Sequence, residues 1–169
     1  METRCKYGKR AIDYAFEDGQ TEMCEVLRKP DQNEDMIEGY PEGLLDELFH
    51  TPASKNDEVR FLSFNGNDPG EKLLKYFRGF WPNVRSRSQA EEIDRQAQPK
   101  GEAKTSYRDI KTKDYGIIVE LTLKSTGDTS FDWKQRVATG PSLAGGGTEG
   151  KASKKFGYWL KQETSSWDE

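Results

Sequence analysis

The sequence predicts an α+β protein: an N-terminal helical hairpin, short helices, and a small antiparallel β-sheet packed on one amphipathic helix. Long irregular segments connect these parts. Three observations carry the prediction. Tyr7 to Leu27 reads as a helix, a turn centred on Gly19 and a second helix over Gln20 to Leu27. Leu73, Leu74, Phe77, Phe80 and Trp81 form one apolar stripe between Lys72, Lys75 and Arg78. From Tyr115 onward the apolar period falls to two, as in a strand.

In the opening unit, Ala11, Ile12, Ala15, Phe16, Met23, Val26 and Leu27 are read as one inward face. A two-helix unit of this size cannot bury such a face by itself, so it requires a cover. The helix that follows, or another protein, would supply it. Residues 29–40 are polar and acidic and read as a linker. Pro41 then suits the first position of a short helix to His50, with Leu44, Leu45, Leu48 and Phe49 on one side. His50 is the sole histidine and reads as a capping or surface residue near the negative end of that helix.

Val59 to Phe64 has strand character, and Asn65-Gly66-Asn67-Asp68 is a turn cluster. Asp68, Pro69 and Glu71 read as N-cap, N1 and N3 of a helix ending near Trp81, before Pro82. Few apolar residues occur in 84–114, where Ser88 to Gln98 would make one polar helix. Tyr115 to Lys124 and Ser130 to Val137 form a hairpin about the turn Ser125-Thr126-Gly127-Asp128. A Gly-rich loop precedes a third strand over 155–161. The resulting division is a helical hairpin at 1–29, an acidic linker with a short helix at 30–58, and a small α+β domain at 59–169. Extended polar segments would lie at 84–114 and 139–153.

Composition narrows the function classes. Hydrophobic residues make up 33% of the 169, charged residues another 33%, and mean hydropathy is -0.98. Such a chain buries a modest core, and partner contacts would hold its polar stretches in place. Residues 1–70 carry 16 acidic and 8 basic residues, whereas 71–169 carry 14 and 18, so an acidic front precedes a mildly basic back. No apolar run is long enough to span a membrane. Cys5 and Cys24 suit a reducing intracellular or organellar compartment as small side chains rather than as a disulfide. Two cysteines and one distant histidine cannot build a zinc site.

Residues 7–28 resemble a single ankyrin repeat. Tyr7-Gly8 is similar to the repeat's opening turn, and Arg10-Ala11-Ile12-Asp13-Tyr14-Ala15 stands where the family has Thr-Pro-Leu-His-x-Ala. Ala15 matches, Ile12 replaces Leu, and Arg10, Ala11 and Asp13 depart. The resemblance implies a binding surface and no chemistry.

Other patterns in the chain have both a chemical and a structural reading. Gly145-Gly146-Gly147-Thr148-Glu149-Gly150-Lys151-Ala152 approaches the P-loop pattern, but Ala152 lacks the hydroxyl that would hold Mg²⁺. A flexible loop is expected there instead. Asp114, Glu120 and Lys124 could suggest a metal-dependent nuclease, yet the spacing favours a solvated strand face. Lys72 to Arg87 interleaves basic and aromatic residues, which suits core packing first. An acidic protein groove, a nucleic-acid backbone or peripheral contact with an anionic membrane are its functional readings.

The sequence therefore predicts a non-enzymatic protein–protein interaction protein, an accessory or scaffolding subunit with no cofactor, metal or catalytic constellation. Other protein subunits are the expected partners. The partner-binding residues are Tyr14, Phe16, Met23, Phe77, Arg78, Trp81, Arg85 and Arg87. The alternative is a nucleic-acid-associated protein binding through 72–113.

Overall fold

The computed structural model describes residues 4–6, 9–30, 33–49, 59–93, 107–139 and 145–168. Helices α1 (Ala11–Glu17) and α2 (Thr21–Val26) come first. Strands β1 (Met36–Ile37) and β2 (Tyr40–Pro41) form a two-stranded ribbon and lead directly into α3 (Glu42–Phe49). Then follow β3 (Val59–Phe64), α4 (Glu71–Arg78), β4 (Val84–Ser86), a 3₁₀ turn (Arg87–Gln89) and β5 (Ala90–Glu92). The remaining strands are β6 (Tyr107–Asp109), β7 (Tyr115–Gly127), β8 (Ser130–Ala138), β9 (Gly145–Lys155) and β10 (Tyr158–Asp168).

The predicted α+β class with a small sheet is overturned. Among the described residues 47% are strand and 24% helical, and eight strands make one mixed sheet. Its main order is β10-β9-β8-β7-β3-β4. Strands β7 to β10 form an antiparallel meander, while β3 runs parallel to both β7 and β4. The short pair β5–β6 attaches to the start of β7, beyond the end of β8.

Three physical reasons enlarge the sheet beyond the sequence expectation. The first is β3, whose residues are buried at all positions except the half-buried Arg60. A parallel strand covered on both faces lacks clean alternation, and this hides its partner strands from a pattern search. Second, Gly145 to Lys155 is a strand between two others, not the expected loop. A Cβ on Gly145 would lie 2.3 Å from the Val137 carbonyl oxygen, and one on Gly150 would lie 2.0 Å from that of Gln162. These glycines permit the close approach of neighbouring backbones. Third, 84–92 is short strand and 3₁₀ turn rather than polar helix, which adds two strands to the sheet, while residues 36–41 of the supposed linker form the separate ribbon. Residues 94–98 of that expected helix, and His50, lie outside the described residues.

Side-chain alternation along β7 separates two cores. Val119, Leu121 and Leu123 join Phe131 and Trp133 of β8 under α3 and α4, which contribute Leu44, Leu45, Leu48, Phe49, Leu73, Leu74 and Phe77. On the opposite face Ile118 meets Val59, Phe61, Tyr107 and Ala138. A third cluster joins Ile12, Ala15 and Cys24 to Leu160 of β10.

The start of α4 also differs from expectation. The helix begins at Glu71 with Gly70 as N-cap, and the Glu38 carboxylate accepts the N–H groups of Gly70 and Leu73, each at 3.2 Å. Asp68 instead accepts the Ser88 N–H at 2.9 Å. A carboxylate in the β1–β2 turn thus replaces the local cap. The helix stops at Arg78, although Phe80 and Trp81 stay in the core beyond it.

Candidate functional site

The N-terminal unit is fastened to the sheet by a buried charged knot. Arg10 precedes α1, and the Asp13 carboxylate accepts both its N–H, at 2.6 Å, and its guanidinium. The same guanidinium donates to the Trp159 carbonyl oxygen of β10 at 2.7 Å and pairs with Glu47 of α3 at 3.1 Å. Arg4 also pairs with Glu47. Burial pushes the Glu47 carboxyl above its usual range, and the two arginines offset only part of that shift. Nearby, the Tyr158 hydroxyl donates to the Leu27 carbonyl oxygen and the Lys29 N–H to that of Phe156. The main apolar cover for this unit is therefore the β9–β10 hairpin of the same chain.

Anchoring leaves the other side of the unit in solvent. Tyr14 is 42% exposed, Met23 47% and Val26 80%. Helix α2 is rotated from the expected orientation: Met23 and Val26 face outward, while Cys24 is buried and Leu27 half-buried. Residues 11–27 contain five acidic residues and no Lys or Arg. Asp13 is committed to Arg10, Glu17 to Lys9 and Glu25 to Arg28. Asp18 and Glu22 are exposed and are matched by no ion pair among the described residues.

The eight residues expected at the interface do not share one surface. Tyr14, beneath Lys9, and Met23 are both partly exposed, whereas Phe16 packs against the internal cluster. Phe77 and Trp81 are core residues, 0% and 4% exposed, with rings stacked 5.0 Å apart. Arg78 is exposed and pairs with Glu71 at 2.7 Å. Arg85 is held by Asp109 at 2.7 Å and Asp114 at 2.8 Å, and Arg87 lies over the Tyr107 ring. Val26 was missed because its hydrophobicity suggested burial. The i, i+3 spacing to Met23 shows that the two share a side of α2, but not which side is covered.

The remaining motifs are structural. The P-loop-like run is β9, with its backbone paired to β8 and β10, so it offers no cradle of free amides. Asp114 is paired with Arg85, and Glu120 lies 3.3 Å from Arg136 across the sheet. The outer sheet face alternates charge, with Lys124 opposite Asp132 and Lys134 paired to Glu149 at 3.4 Å. A groove of about 440 Å³ near the far end of β8–β10 is lined by uncharged groups, including Gln135, Thr148 and Ser166. Among the described residues no group of three or more His, Cys, Asp or Glu side chains could hold a metal ion. No helix there is long and apolar enough to cross a membrane.

No family model matches the chain, and neither a curated protein nor a solved structure matches it.

Proposed function

We propose that this chain is a non-enzymatic protein–protein interaction protein, an accessory or scaffolding subunit that presents its N-terminal helical unit to another protein. The observation that supports this reading most is the two-sided character of α1–α2. One side is fixed to β10, while Met23 and Val26 of α2 are exposed to water, and Tyr14 of α1 is partly exposed beneath Lys9 with its hydroxyl 3.3 Å from the Cys5 Sγ. Exposed apolar side chains on a firmly attached element suit protein association, since their burial releases ordered water without unfolding the scaffold. The resemblance of residues 7–28 to an ankyrin repeat points the same way.

Asp18 and Glu22, exposed and without ion partners among the described residues, disfavour a nucleic acid or an anionic membrane beside Met23, because like charges repel. The nucleic-acid alternative at 72–113 draws less support. Within that segment Arg78 and Arg85 are matched by carboxylates, and the large aromatics face inward.

The test is a photo-crosslinking amino acid placed at Val26 and, separately, at Lys124 on the outer sheet face. A defined partner crosslinked from position 26 but not 124, and rebuilt with it as a stoichiometric complex, supports the reading. Absence of any such complex from position 26 overturns it.

A further inference from the structure

Resting on that interaction reading, we infer that the open side of α1–α2 receives a basic amphipathic helix. Met23, 47% exposed, and Val26, 80% exposed, stand one turn apart; Glu22 precedes Met23 and lies one turn before Val26, and Glu22 and Asp18 are exposed without ion partners among the described residues. Anchors at i and i+3 are separated by about 5–6 Å, which matches the spacing of apolar side chains on one stripe of a partner helix. Lys or Arg flanking that stripe would then face Glu22 and Asp18.

Three observations select this occupant. Both elements of the surface are helices with their backbones internally bonded, so an incoming strand finds no open edge. Lys9, Arg10 and Arg28 are committed to Glu17, Asp13 and Glu25, which leaves the carboxylates of Asp18 and Glu22 as the charges a cationic ligand could match. A second copy of the same face would bring Glu22 and Asp18 toward identical carboxylates, which repels. Helix α2 is also short, six residues with Cys24 as its buried member. Isolated helices of that length are marginal, so a docked partner would stabilise it further.

The experiment uses the full chain and a synthetic Leu/Lys peptide with leucines at helical i, i+3, i+4 spacing. Two control peptides replace every Lys by Glu or every Leu by Ser. Amide shifts and affinity are read by NMR titration. The Leu/Lys peptide is expected to bind with shifts confined to residues 14–27, more weakly as salt rises, and the controls are expected not to bind. Glu22→Lys should weaken binding about tenfold, a typical loss for reversing one charge at a close pair. Met23→Ser with Val26→Ser should abolish it, while both variants keep the amide spectrum of the sheet.

Equal binding of the Leu/Glu peptide overturns the charge argument, and equal binding of the Lys/Ser peptide overturns the apolar one. Shifts centred outside residues 14–27, or self-association that buries Met23 and Val26, also overturn the proposal. A partner crosslinked from Val26 alongside failure of the Leu/Lys peptide would remove this chemistry and leave the interaction role standing. Failure of both removes both.

Discussion

Arg10 shows how one side chain can organise a junction between distant elements. Its guanidinium reaches Asp13, Glu47 and the Trp159 carbonyl together. Its replacement leaves two carboxylates and a carbonyl without their shared donor in a site closed to water. We expect Arg10→Ala to cost about 3–5 kcal/mol in urea unfolding, the usual range for breaking a buried charge pair. Arg10→Lys should recover little, since an ammonium cannot span the fork geometry. Asp109 is a second buried charge with a clear pH signature. Burial alone would raise its carboxyl, but the Thr112 N–H, Arg85 and the Lys111 N–H outweigh burial and hold it at about 2, against an ordinary 3.8. A depressed folded value means that ionised Asp109 stabilises the fold above pH 4, and this contribution is lost as the pH falls toward 2. Subtracting the stability curve of Asp109→Asn from that of the unaltered chain should show this loss in that window and a flat difference above it.

At the scale of elements, distant groups decide what local signals leave open. The cap of α4 comes from Glu38, itself at a φ of 51°, and not from the local Asp68. Glu38→Ala should destabilise by about 1 kcal/mol, as loss of a helix cap does, and raise amide exchange at Gly70 and Leu73. Glycines divide in the same way between local and distant causes. Gly150→Ala would drive a Cβ to within 2.0 Å of the Gln162 carbonyl oxygen, so about 1–3 kcal/mol of destabilisation is expected. Gly127→Ala, whose Cβ would meet nothing nearer than Ser130 Cβ at 3.9 Å, should change the urea midpoint little. Sequence reading could place α3, β3 and the β7–β8 hairpin because their periodicity is local. It could not place β9, because a glycine run looks like a loop until the neighbouring carbonyls are known. The candidate surface was half legible: Tyr14 and Met23 could be named, but the outward turn of Val26 depends on Leu160 and Tyr158, more than 130 positions later.

Across the whole molecule, a single sheet carries three cores, and the last strand serves two of them. Trp159 belongs to the core under α3 and α4, whereas Leu160 belongs to the cluster under α1 and α2. Successive residues of a strand face opposite ways, so β10 joins the two layers directly. The acidic front and basic back seen in the sequence are not kept apart by this arrangement. Lys154 of β9 pairs with Glu34, and Lys155 lies over the Phe16 ring. Charge totals along the chain therefore described composition faithfully but misdirected the search for a basic surface. The fastening of α1–α2 also has a consequence for biosynthesis. Leu27 and Tyr158 are 131 positions apart, so at typical elongation rates the ribosome emits the helical unit on the order of ten seconds before the hairpin that covers it. During that interval Ile12, Ala15 and Cys24 have no sheet to rest on, which makes the nascent chain, rather than the finished protein, the species most in need of a chaperone.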